Sequence, residues 1–303
     1  MKLQDWLLFL FFAGISGISW SVTKNGMSFV GPATFLLHRF MIAAISMLPI
    51  ILFLRKSIPN RSETLRKLVV FALINVSSLL VANIGLVGEN SGIAAMLFYT
   101  QPLFVFCLAT VLLREKITLT KLTGTLMGFG GVILLLSSRL GSATFNSALT
   151  MVLGALLWAS SIVYYKKYLT NVNPFIANSF QLVVGIVPLT ILTMVTNSFI
   201  VPSDTSYLWL ILVASFVTLG GGISWLLLLR RGEAIVLSSS SYVVPVIALF
   251  LGWLLLREEL QMLFIPGAAF ILAGLCIVNI HSAATENARV RILKYVRKIT
   301  VRA

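Results

Sequence analysis

The residues of this 303-residue chain best suited to chemistry are aromatic, amide and cationic side chains set inside long apolar runs. Tyr99 and Tyr242 each stand three residues before a proline, Pro102 and Pro245. On a helix that spacing puts ring and proline about one turn apart on the same face. Trp158 lies at a similar depth in its own run. The three rings suit stacking on an aromatic or cationic solute, and they also suit packing between helices. Proline frees a backbone carbonyl and bends a helix. Pro102 and Pro245 therefore read as hinges, or as packing kinks of the kind membrane helices tolerate.

Polar groups in apolar runs are costly in lipid and usually face an interior. Asn75, Asn83, Gln101, Asn178 and Gln181 are such groups. Asn75 and Asn83 are eight residues apart, so they share a helix face. Amides can read a solute's carboxylate or amine, or hold helices together. Arg39 is the one cation clearly inside an apolar run. It suits a solute carboxylate or phosphate, or else it snorkels outward. Lys24, Lys166, Glu115 and Glu258 lie at run ends. They suggest gating pairs, Lys24–Glu258 on one face and Lys166–Glu115 on the other, with plain interfacial charge as the alternative.

The remaining chemistry is sparse. All nine Asp and Glu lie in loops or at run ends. Without a mid-membrane carboxylate, facilitated diffusion or exchange is expected rather than carboxylate-based proton antiport. The two histidines, His38 and His281, have no acid partner on their own segments, and no HExxH appears. Cys107 and Cys276 lie in apolar runs without a CxxC partner and read as packing residues. The expectation is no metal, no cofactor and no enzyme activity.

The elements that position these residues follow from composition. Hydrophobic residues make up 58% of the chain, charged residues 11%, and the mean hydropathy is +1.00. Soluble domains carry about 25% charge, so the bilayer must replace the usual core. Spans need about 20 apolar residues each. Ten windows qualify: 5–23, 31–54, 68–88, 91–113, 120–138, 147–165, 174–195, 207–229, 234–256 and 262–280. Placing the N-terminus in the cytoplasm puts 19 of the 23 Lys and Arg on that side and three opposite, with Arg39 within a span. That asymmetry predicts both ends cytoplasmic. It also assigns the net charge of +14 to anionic headgroups rather than nucleic acid. The expected location is a cell membrane, bacterial or archaeal since no targeting extension is evident. Residues 284–303 form a basic cytoplasmic tail, read as an amphipathic surface helix or a disordered segment.

One cassette occurs twice. Tyr99 to Lys116 reads YTQPLFVFCLATVLLREK, and Tyr242 to Glu259 reads YVVPVIALFLGWLLLREE. The offset is 143 residues. Nearer the start of each half it is 142, relating Ser16 to Trp158, Lys24 to Lys166 and Arg39 to Gln181. Two repeats result, 1–140 and 141–283. Each holds five spans, an odd number, so the second must enter from the opposite side. The fold class is an all-α integral membrane protein of ten helices in two inverted five-helix repeats.

These segments resemble the EamA type of the drug/metabolite transporter superfamily. The resemblance rests on WASSIVYYKKYL (Trp158 to Leu169), both cassettes, and the glycine-bearing KLTGTLMGFGGVILL and IPGAAFILAGLCIVN. It covers about residues 5–281. It departs at the first helix, where the usual tryptophan aligns with Ser16 and Trp20 stands four residues later. The resemblance implies alternating-access transport of a small metabolite, an amino acid or related compound, with nucleotides, sugar phosphates or S-adenosylmethionine as the alternative. An integral membrane enzyme acting on lipids and a passive channel fit the residues less well. The expected partners are a small solute and the bilayer, with no nucleic acid. Monomer and homodimer both remain open.

Overall fold

The computed structural model describes residues 3–54, 57–59, 61–89, 91–137, 145–256, 263 and 265–278. The described residues are helices joined by turns, with no strand among them. In chain order the helices are α1 (Leu3–Gly26), α2 (Pro32–Phe53), α3 (Ser62–Val87), α4 (Ser91–Phe98), α5 (Gln101–Leu108) and α6 (Leu119–Ser137). A π-helical turn, Ala109–Leu113, extends α5 and ends at Arg114, which adopts a left-handed conformation (φ 55°). Then follow α7 (Phe145–Tyr168), α8 (Pro174–Val195), α9 (Thr205–Arg231), α10 (Ala234–Ser240) and α11 (Val243–Leu256). The last, α12, covers Ile265–Val278. The boundary expected near residue 140, the gate residue Glu258 and the basic tail lie outside the described residues.

Local chemistry fixes several of these boundaries. Pro32 and Pro174 open α2 and α8, where a missing N–H costs nothing because the first turn's donors lack partners anyway. Asn173 accepts from Phe175 N at 3.0 Å and Asp204 from Ser206 N at 2.7 Å, capping α8 and α9.

Among the described residues, seven stretches are long and apolar enough to cross a membrane: α1, α2, α3, Ala94–Leu113, α7, α8 and α9. Leu119–Leu134, Ala234–Ala248 and Ile265–Val278 are shorter apolar helices. Large apolar side chains such as Phe53, Trp209 and Phe145 project outward, as suits a protein whose solvent at mid-height is lipid.

The interior is built by paired helices. α3 runs against α7, α1 against α9 and α11, and α2 against α8. Ser78 Oγ donates to Gly154 O at 2.8 Å across the α3–α7 contact. α6 meets α12 through glycines. A Cβ added at Gly131 would stand 2.7 Å from Gly267 O, and one at Gly274 would stand 2.6 Å from Gly124 O. Only a bare Cα allows two backbones that close.

The prolines act differently from the mid-helix bends expected of them. A turn at Tyr99–Thr100 separates α4 from α5, and Pro102 falls in the first turn of α5. A turn at Ser241–Tyr242 separates α10 from α11, with Pro245 in the first turn of α11. Each proline starts a half-helix, the position where its lost donor is harmless. Cys107 and Cys276, expected to pack, are exposed instead.

Candidate solute-binding site

A cavity of about 130 Å³ lies where the broken α4–α5 segment faces α1, α2, α3, α7, α8 and α9. α1 contributes Ser16, Ser19, Trp20 and Thr23, which follow one another at i, i+3, i+4 and i+7 and so form one stripe. α2 brings Arg39 and α8 brings Gln181. Asn83 comes from α3, and Tyr99 and Gln101 flank the α4–α5 turn. Trp158 stands on α7, Thr218 and Trp225 on α9, and Ser241 at the α10–α11 turn.

The aromatic lining falls into two groups, one around Phe98 and the other a stacked pair. Trp20 meets Phe98 edge-on with ring centroids 5.3 Å apart, and Tyr99 at 6.5 Å. Phe98 in turn approaches Trp158 at 5.9 Å. Trp225 stacks on Phe12 at 4.8 Å. The polar lining is only partly satisfied. Gln101 Nε2 donates to Ser241 Oγ at 3.1 Å, joining the two helix breaks. Gln101 Oε1, Asn83 Nδ2 and Trp225 Nε1 are buried with no hydrogen-bond partner.

Of the nine residues expected to touch a solute, six line this cavity: Arg39, Asn83, Tyr99, Gln101, Trp158 and Gln181. Tyr242, Asn75 and Asn178 lie elsewhere. Tyr242 is packed with Met96, Val132 and Ile271, its ring filling the space where a Cβ on Gly128 would stand. Asn75 Nδ2 donates to Ser161 Oγ at 3.4 Å, tying α3 to α7. Asn75 shares a helix face with Asn83 but stands two turns away and does not line the cavity. Asn178 fills the space left by the missing side chain of Gly222.

Sequence reasoning missed Ser19, Thr23, Thr218, Trp225 and Phe98. For Ser19 and Thr23 a signal existed in the polar stripe through Ser16 and Trp20. Trp20 replaces the tryptophan missing at Ser16, because four residues along a helix returns to the same face. Trp225 carries no such signal, since its repeat mate at the same offset is Ala82.

The charged ends of the helices form two similar joints. Lys24 Nζ donates to Leu86 O at 3.0 Å and Val87 O at 2.8 Å, at the end of α3. Lys166 Nζ donates to Leu229 O and Gly232 O, each at 2.6 Å, at the end of α9. In both, an ammonium meets the negative end of a helix dipole. Glu115 does not pair directly with Lys166. Its two carboxylate oxygens accept from Ala234 N at 2.8 Å and Ile235 N at 3.1 Å, capping α10. Glu233 beside it pairs with Lys121 at 2.6 Å. Lys166 and Glu115 thus grip the same α9–α10 joint from two sides.

Apolar helices long enough to cross a membrane, packed around a small and partly polar cavity, define an integral membrane protein. The chain belongs to the EamA-like transporter family, whose profile matches residues 5–137 and again 146–280. It is 27% identical to the uncharacterized transporter YoaV of Bacillus subtilis, over 86% of this chain and 91% of that one. It is 32% identical to an uncharacterized transporter of Acidianus ambivalens, over 71% and 81%. The uncharacterized inner membrane transporter YedA of Escherichia coli is 28% identical over 78% of each chain. A solved crystal structure shares the fold with a TM-score of 0.78 at 16% identity, covering 94% of this chain and 100% of that one.

Proposed function

We propose that this chain is a secondary transporter that moves a small metabolite, an amino acid or related compound, by alternating access between two inverted five-helix repeats, residues 1–140 and 141–283. The observation that carries the reading is the cavity itself. Its walls come from both repeats, and it holds buried polar groups that lack partners. At about 130 Å³ it is smaller than the roughly 300–1,000 Å³ of drug-sized sites, which suits a metabolite.

Symmetry supports the mechanism. The 142–143 offset converts α1 into α7 and α3 into α9, so the α1–α9 contact corresponds to the α7–α3 contact. Lys24 and Lys166 hold corresponding helix ends. In this reading ten spans place both termini in the cytoplasm, and the Lys166–Glu115 joint closes the cytoplasmic side. Lys24 with Glu258 serves the outer side, and Pro102 and Pro245 mark the pivots. The test is uptake of labelled amino acids into proteoliposomes. Saturable uptake that unlabelled amino acid accelerates from inside is the expected result. Uptake that never saturates, or that requires a proton gradient, overturns the exchange mechanism.

A further inference from the structure

We infer that the cavity is built for a solute bearing a single carboxylate, with Arg39 as its anchor, and that it rejects both cations and phosphate dianions. The inference rests on the reading of this cavity as the solute site.

Arg39 is 8% exposed. Its Nε donates to Thr218 Oγ1. Its Nη1 and Nη2 reach Thr23 Oγ1 and Ser19 Oγ, each at 3.4 Å. Five N–H groups therefore meet three hydroxyl acceptors among the described residues, two of them at the long end of hydrogen bonding. None of these acceptors carries charge. The described carboxylates are engaged elsewhere: Asp5 with Arg231, Glu63 with Lys67, Glu89 beside Lys24, Glu115 with α10, Asp204 with α9 and Glu233 with Lys121. A buried guanidinium is the residue type that pairs with a planar carboxylate through two parallel N–H bonds. Here that pair is left open, toward a cavity.

The rest of the lining matches the same solute. Asn83 Nδ2 and Trp225 Nε1 are unpartnered donors, 7% and 4% exposed by residue, which suits an acceptor-rich anion. Gln101 Oε1 is an unpartnered acceptor on a residue 1% exposed, placed to receive a solute N–H. The aromatic group of Trp20, Tyr99 and Trp158 takes an apolar body. Among the described residues Arg39 is the one charged group lining the cavity. A dianion would bring a second charge without a second cation among the described lining residues, and an organic cation would face a like charge.

The experiment uses the full chain in detergent and follows tryptophan fluorescence, since Trp20, Trp158 and Trp225 line the cavity. The probes are L-phenylalanine, 3-phenylpropionate, 2-phenylethylamine and phenyl phosphate. The two carboxylates are expected to bind at least about tenfold more tightly than the amine or the phosphate, the range for a hydrogen-bonded charge. Arg39→Gln should shrink that preference to within about threefold, and Arg39→Lys should keep part of it. Thermal melts of each variant separate loss of the anchor from loss of the fold. Equal binding of the amine or phosphate, a preference that survives in folded Arg39→Gln, or no carboxylate binding at all overturns the inference. Uptake into proteoliposomes is measured beside it. Carboxylate binding without uptake removes the transport reading and leaves the anchor standing. Uptake indifferent to charge does the reverse.

Discussion

Tyr99 and Tyr242 occupy the same place in two copies of one cassette, yet the fold uses them differently. Tyr99 lies in the Tyr99–Thr100 turn, edge-on to Trp20, and lines the cavity. Tyr242 lies in the Ser241–Tyr242 turn, packed on α6 and α12, with its hydroxyl unpartnered. The neighbouring positions diverge too. Gln101 reaches the cavity, while its mate Val244 is fully buried in the apolar core. By contrast Arg39 and Gln181, mates on α2 and α8, both line the cavity, as do Ser16 and Trp158 on α1 and α7. The asymmetry extends to the continuous helices: Trp20 and Thr23 of α1 line the cavity, while their mates Ile162 and Tyr165 on α7 are buried in the apolar core. Two copies of one sequence can sit in two environments only if each environment is acceptable to both. That is the property an alternating pair of repeats requires, and under the proposed mechanism the two cassettes exchange roles.

The comparison can be broken most directly at its packed end. Tyr242→Ala empties a filled site and should cost about 3–5 kcal/mol of stability, whereas Tyr99→Ala enlarges an existing void and should cost clearly less while weakening solute binding. Denaturant unfolding of the two variants in detergent decides this, and equal losses would erase the distinction between the copies.

The helix-end joints offer the next largest effect. Lys166→Met removes two short bonds to the end of α9, each of a kind worth about 1.5–3 kcal/mol, while Lys24→Met removes bonds of which one is solvent-exposed. Hydrogen exchange should therefore show α10 opening far more in Lys166→Met than α4 opens in Lys24→Met. The same protection in both variants argues against an asymmetric lock. Glu115→Ala comes third. It strips the cap from α10 and should lower the melting free energy by about 0.5–2 kcal/mol, and Glu115→Gln should recover part of that loss. A calorimetric scan showing no change in Glu115→Ala would mean the cap is ornamental.

The smallest effect sharpens the comparison at one atom. Tyr242→Phe deletes a buried hydroxyl without a partner, so stability should stay within about 0.5 kcal/mol or rise. A large loss would mean that the hydroxyl is bonded in the membrane-embedded protein and that Tyr242 is not a simple packing residue.

Much of the architecture could be read from the residues alone. The spacing of apolar runs placed most of the continuous helices to within a few residues, because a helix that must satisfy its own backbone in lipid is a local object. The duplicated cassette marked both proline sites but as bends within continuous spans 91–113 and 234–256; the structure instead ends one helix and starts another at each. Six of the nine expected solute residues line the cavity for a simpler reason: polar groups in apolar runs have few other places to go. The failures are also physical. Asn75, Asn178 and Tyr242 obey the same rule, but packing takes them elsewhere: Asn75 to Ser161, Asn178 to the gap at Gly222 and Tyr242 to the α6–α12 pair, with the Asn178 amide and the Tyr242 hydroxyl left without a partner.

Composition and periodicity by themselves determined that this is a helical membrane protein and where most of its segments begin. Which face of each helix meets which neighbour was decided only in three dimensions. The choice between Tyr99 and Tyr242 as cavity residue, the alliance of Lys166 with Glu115 at one joint rather than as an ion pair, and the open fork of Arg39 all depend on contacts spanning tens to nearly two hundred residues. Rotation of a rigid helix by a quarter turn leaves its sequence pattern unchanged but replaces every group its side chains touch, and only the packing of the whole bundle fixes that rotation.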